Sequence, residues 1–264
     1  MRSAFVSVAF ALCGAFSSAS LAQAQTSPEA EALTDAQRAA LESVIREYLL
    51  ENPEVIEEAI FVLQDRRAAE RVERERAAIA AHHDELFGNP RDFAVGPPDA
   101  PVQIVEFFDY NCSYCRRAAP WVRQTLDTYG DQVRFVFKET PIFADTSESS
   151  RIGAQAALAA AELDPDKYLD LHFELMSSSG TIPQSQVRQI AESVDLNWRR
   201  LQGVMDDPET QGQLDDTVDL LYQIGANGTP AFIVNGEMVP GANIARLDEL
   251  LASGLAIASS DVGE

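Results

Sequence analysis

Residues 102–110 read VQIVEFFDY and residues 132–139 read QVRFVFKE. Each run is rich in β-branched and aromatic residues and too apolar to turn one face to water, so each is expected to be a buried strand. Between them, from Cys112 to about Tyr129, the pattern is helical. Strand, helix and strand in that order make a βαβ unit, with parallel strands and a right-handed crossover. Beyond it, residues 145–225 hold no strand candidate and several helices. Asp164-Pro165 and Asp207-Pro208 both read as an N-cap followed by Pro at the first helical position, and Gly225 as a helix stop. Residues 231–239, AFIVNGEMV, then place Asn235-Gly236 between apolar pairs, the signal of a type I′ hairpin. A last helix is expected from about Asn243 to Ser253. There is no internal repeat.

Ahead of the α/β pattern lies a different kind of sequence. Thr34 can cap a helix in which Leu41, Val44, Ile45, Tyr48 and Leu49 form an amphipathic stripe. Asn52 and Pro53 are expected to end it and open a second helix. That helix carries Val55, Ile56, Ala59, Ile60, Val62 and Leu63 and then turns charged, QDRRAAERVERER over residues 64–76. It is expected to run unbroken to about Leu86, before Gly88-Asn89-Pro90. About 30 residues of amphipathic helix cannot build a core of their own. The stripe over residues 33–63 therefore needs either the body of the chain or another copy, and the solvated charged helix favours another copy.

The first residues are read as a secretory signal. Arg2 precedes the apolar run AFVSVAFALCGAF, and the small residues after it end in Ala22-Gln23-Ala24, an A-x-A cleavage pattern. The apolar stretch is shorter than the ~20 residues of a spanning helix. Cys13 falls inside it, which leaves Cys112 and Cys115 as the cysteines of the mature chain, in a compartment with no reducing pool. The formal charge of −22 over 264 residues argues against nucleic acid and anionic lipid as partners.

Four uses are open to a Cys-x-x-Cys pair. A structural zinc site needs further ligands, and His82, His83 and His172 fall at no ligand spacing, so no metal is assigned. A c-type haem needs His where Arg116 stands. A disulfide across so short a loop is a poor staple. Redox exchange remains, at the start of a helix whose N–H groups stabilise a thiolate on Cys112. Arg116 and Arg117 are expected to add positive potential. Cys115, one turn in, is placed to resolve a mixed disulfide. Pro120 inside the helix is expected to kink it.

EFFDYNCSYCRRAAP at 106–120 and GTPAFIVNGEMVPGA at 228–242 together resemble the DsbA-type branch of the thioredoxin superfamily. That resemblance implies a thioredoxin fold with an inserted helical domain. YLLENPEVIEEAI at 48–60 is similar to the oligomerisation region of ScsC-like members, linked to copper tolerance. The implied organisation is a signal peptide at 1–24, an N-terminal helical segment with charged linker at 25–88 and a first thioredoxin half at 89–144. An inserted helical domain at 145–225 and a second half with tail at 226–264 follow.

The resemblance makes Cys112 the nucleophile, Cys115 the resolving thiol, and Thr229-Pro230 a cis-proline loop that binds substrate beside Ser113 and Tyr114. It makes Glu106 a buried acid that moves the proton of Cys115; a salt bridge from Glu106 to Lys138 is the structural alternative. No cofactor is implied. The oxidases of the family carry Pro-His where this chain has Ser113-Tyr114, and valine where it has Thr229, so a less oxidising pair is expected. An oligomeric periplasmic disulfide isomerase or reductase fits best. Its partners would be client proteins with disulfides or free thiols and a membrane electron donor of the DsbD or ScsB kind. The alternatives are a DsbA-like dithiol oxidase, a Cu(I)-binding thiol protein and a chaperone acting through the front helices.

Overall fold

The computed structural model describes residues 33–145 and 147–261. The signal sequence and most of the leader lie outside them. The described residues contain no helix long and apolar enough to cross a membrane.

Two units separate near Val62. In the first, α1 (Asp35–Glu51) begins with a capping box in which Thr34 and Gln37 bond each other's backbone N–H. It buries none of its residues: Leu41, Val44, Ile45 and Tyr48 are all exposed. Asn52 caps the end of α1, its backbone N–H and Nδ2 both donating to Tyr48 O, and α2 (Glu54–Ala81) starts two residues on. Exposed Ile56, Ile60 and Phe61 continue the apolar surface.

The expected unbroken helix to Leu86 is interrupted. α2 stops at Ala81, His82 takes a non-helical conformation, and a short α3 (His83–Phe87) follows. Ile79 and Leu86 are buried against the sheet while Val72 stays exposed. The helix thus changes direction where it stops being solvated on all sides.

In the second unit a five-stranded sheet has the order β1-β3-β2-β4-β5. β2 (Val102–Phe108) and β3 (Val133–Glu139) are parallel around α4 (Ser113–Tyr129), as the βαβ reading requires. β4 (Ala231–Val234) and β5 (Glu237–Pro240) form the antiparallel hairpin, with Asn235 and Gly236 both at positive φ as a type I′ turn demands. The sequence reading missed β1 (Phe93–Val95), which pairs antiparallel with β3. Three residues are too few to show a period. The final helix is also longer than expected, α10 (Ile244–Asp261).

The inserted block holds α5 (Glu148–Leu163), α6 (Tyr168–Ser177), α7 (Gln184–Ser193), α8 (Trp198–Met205) and α9 (Pro208–Gln223). Asp207 caps α9 as expected, its Oδ1 accepting from Glu209 N, but Asp164-Pro165 opens only a 3-10 turn. α5 packs on all its neighbours through small residues. Gly153 is required there, since a Cβ would lie 2.8 Å from the ring of Tyr110.

Candidate active site

Parity on the two parallel strands decides what lies under the cysteines. Glu106 pairs in register with Phe137, and Ile104, Phe108, Phe135 and Phe137 share the sheet face that α4 covers. Lys138, one residue on, points to the other face. There its ammonium pairs with the carboxylate of Asp92 and donates to Glu85 O, with Lys138 and Asp92 both almost fully buried. The alternative of a Glu106–Lys138 salt bridge is therefore overturned. Side chains on adjacent parallel strands share a face only when their register positions match in parity.

Glu106 is 1% exposed and its Oε2 has no hydrogen-bond partner among the described residues. Burial, and then the charge of Cys112, hold its carboxyl well above the usual range. A carboxyl raised in this way is suited to accept or give a proton beside Cys115.

Cys112 is the N-cap of α4, 5% exposed, and Cys115 is fully buried one turn in. Asp109 shapes the approach: its carboxyl accepts from Asn111 N at 2.7 Å, from Phe143 N at 3.2 Å and from Ser150 Oγ, and its carbonyl accepts from Cys112 N. This Asx turn carries the chain from β2 into α4.

The Cys112 thiol is lowered from an ordinary 9.0 to about 6. The hydrogen bond from Cys115 lowers it most, burial opposes this, and the N–H of Cys115, Thr229 and the N–H of Tyr114 lower it further. Cys115 is raised well above its ordinary value by burial, then by Cys112 and Glu106. At pH 7 one sulfur is a thiolate and its neighbour a thiol.

The arginines do not act as expected. Arg116 donates to Tyr110 O (2.8 Å), Asn111 O and Gly180 O, tying the motif loop to the turn after α6. Arg117 lies over the exposed ring of Tyr114, 4.8 Å from its centroid. The groups that lower Cys112 are the partner sulfur, the backbone N–H groups of α4 and Thr229.

The expected cis bond is present at Thr229-Pro230. Cys112 Sγ lies 3.1 Å from Thr229 O, so the loop does face the cysteines. Pro230 is buried and its carbonyl accepts from Gly241 N. Ser113 and Tyr114 are exposed beside Cys112. All seven residues expected at the site are thus in one place.

Sequence reasoning missed a second polar cluster behind the motif. Glu139, buried at the end of β3, accepts from Tyr168 OH (2.8 Å) and Tyr110 OH (3.0 Å), and Tyr110 OH lies 3.2 Å from His172 Nδ1. His172 is packed, boxed in by Phe108, Phe137, Tyr168 and Phe173, and burial lowers it to about 3. The available signal was an acid two positions after Phe137, hence on the buried face. Among the described residues no three His, Cys, Asp or Glu side chains cluster as a metal site.

Two grooves flank α4. One, toward α10, is lined by Arg117, Trp121, Asp248 and Leu251; the other, toward α6, by Arg116, Arg123, Phe173 and Met176. Neither is lined by Cys112 or Thr229.

The family model of the DSBA-like thioredoxin domain matches residues 103–252. The chain belongs to the DsbA-like thioredoxin family. The model of the copper resistance protein ScsC N-terminal domain matches residues 37–70. Among solved DsbA-like structures, a thioredoxin-like oxidoreductase from Silicibacter pomeroyi is 37% identical, with TM-score 0.59, over 66% of this chain and 97% of that one. Proteus mirabilis ScsC in a transitional conformation is 29% identical, with TM-score 0.61, over 85% of this chain and 98% of that one. A curated relative, the Na(+)/H(+) antiporter NhaA 3 of Salinispora tropica, is 33% identical over 169 residues, 64% of this chain and 25% of the antiporter. The chain thus spans a quarter of that relative's length.

Proposed function

We propose that the chain is a thiol-disulfide oxidoreductase of the periplasm, acting on protein disulfides in the isomerase or reductase direction as a homo-oligomer. The observation that carries this is the split between the two thiols, one near the surface and ionised at neutral pH, the other buried, protonated and backed by Glu106.

In this reading the Cys112 thiolate attacks a client disulfide, a mixed disulfide forms, and the client's other sulfur leaves with the electron pair. The Cys115 S–H bond then breaks, its proton goes to Glu106, and the Cys115 thiolate attacks Cys112 Sγ. The Cys112–Cys115 disulfide forms and the second client sulfur leaves. A membrane electron donor of the DsbD or ScsB kind would restore the dithiol.

A thiol at about 6 falls between the ~3.5 of a strong oxidant such as DsbA and the ~7 of thioredoxin. With no imidazole between the cysteines, this supports a moderately poised pair. A Cys112 that sits outside both grooves suits a macromolecular disulfide better than an enclosed small molecule. The exposed stripe of Leu41, Val44, Ile45 and Tyr48 supports assembly with further copies, since an apolar surface of that kind in water marks an interface.

Refolding of a scrambled disulfide protein by the chain, with and without residues 25–63, tests the reading. Recovery of client activity that disappears on truncation, while reduction of a simple disulfide substrate survives, supports an oligomeric isomerase. Fast oxidation of a reduced client with no recovery from the scrambled form would make it an oxidase.

A further inference from the structure

The chain carries 42 acidic residues against 20 lysines and arginines, yet the helix that presents the cysteines is basic. From Ser113 to Gln124, α4 contains Arg116, Arg117 and Arg123 and no acid; Asp127 comes a turn later, at the end away from Cys112. Some arginines of this surface pair with a carboxylate, as Arg91, Arg151, Arg188 and Arg246 do. The arginines of α4 do not. Arg116 spends its donors on carbonyls, and its charge acts on the buried Asp109 carboxyl without a direct ion pair. Arg117 lies over Tyr114, and Arg123 lies over Phe173 at 3.9 Å from the ring centroid.

Stacking on a ring fixes a guanidinium while leaving its edge donors open. An arginine held this way has already lost much of the side-chain entropy that makes exposed ion pairs weak. Arg117 is linked to the chemistry through Tyr114, which sits between the cysteines in sequence and is exposed beside Cys112. Its groove continues toward α10 past Pro120 and Trp121, whose Nε1–H holds the one acid on that wall, Asp248, at 2.8 Å.

We propose that Arg117, supported by Arg123 and Arg116, selects polypeptide segments that carry acidic side chains next to the cysteine attacked by Cys112. This rests on the exchange reading of Cys112 and Cys115 and names the clients that reading would favour. The net charge of the chain does not cancel the preference. At physiological salt the screening length is about 8 Å, so carboxylates elsewhere on the surface are muted while a side chain within reach of Arg117 is not.

The test uses the full chain and three disulfide-linked peptide pairs, identical except for Glu, Lys or Ala on either side of the cysteine, with reduction followed by fluorescence. The Glu peptide should be reduced with a kcat/KM about 3- to 10-fold higher at low salt, the ratio expected from one or two exposed ion pairs. The preference should shrink in ~0.5 M salt. Arg117→Gln should reduce the ratio of Glu to Lys peptide toward one, and Arg117→Glu should favour the Lys peptide. Equal rates on the Glu and Lys peptides, or a ratio that Arg117→Glu leaves in place, overturns the proposal. Failure to reduce any of the three peptides would instead count against the exchange reading itself.

Discussion

Replacing Cys112 with Ser should flatten the pH dependence of stability in the reduced protein. The folded thiol ionises at about 6, against an ordinary 9.0, so its contribution has the sign of a depressed acid. It is complete above pH 9, where the unfolded thiol has also ionised, and is lost as the pH falls through 6. Between those limits the folded state gains up to about 1.4 kcal/mol per pH unit. From pH 6 to 8.5 that amounts to about 3 kcal/mol, and to about 2 kcal/mol once screening on the open side of the sulfur is allowed for. Cys115 does not interfere, because its raised thiol stays protonated in this window.

The assay is urea unfolding of the reduced wild type and of Cys112→Ser at half-unit intervals, reading the difference between them so that titrations not coupled to Cys112 cancel. Iodoacetamide alkylation of the wild type should show a midpoint near pH 6. Cys115→Ala, which removes the donor that lowers Cys112 most, should move that midpoint up. A stability difference that stays level from pH 6 to 8.5, or a midpoint near 9, would refute the reasoning.

Two further outcomes follow from the geometry beneath the cysteines. Glu106→Gln keeps the shape of the buried side chain but cannot take a proton, so the mixed disulfide on Cys112 should accumulate and its resolution slow about 100-fold, measured by rapid acid quench. Lys138→Met leaves the Asp92 carboxylate buried without a partner, at a cost of about 3–5 kcal/mol in urea unfolding. Because Lys138 faces away from Glu106, the pH profile of resolution should not move.

Much of this architecture was legible in local patterns. Thr34 as a cap, Asp207 with Pro208, and Asn235 with Gly236 each satisfy or demand a particular backbone state within a few residues, so their readings depend on nothing distant. The same holds for Cys112 at the start of α4. The reading failed where a neighbour in space intervened. Ile79 and Leu86 turn α2 aside by burying against the sheet, and β1 exists because β3 offers it an edge. Asp109, Tyr110 and Glu139 escaped notice because their partners lie on other elements.

By itself the sequence determined the order of strands and helices and the position of the cysteine pair at a helix start, because these follow from spacing and turn chemistry along the chain; that Glu106, Thr229 and Pro230 belong beside the pair came from the resemblance to the DsbA-type branch. Tertiary structure alone decided which charges meet. Glu106 and Lys138 look like natural partners on neighbouring strands, but the register places them on opposite faces. Glu106 is thereby left without a cation behind Cys115. Arg116 and Arg117, which look like stabilisers of the thiolate, are drawn off to carbonyls and to the ring of Tyr114. Electrostatic partnership depends on distances of a few ångströms, and those are fixed only when the strands and helices pack.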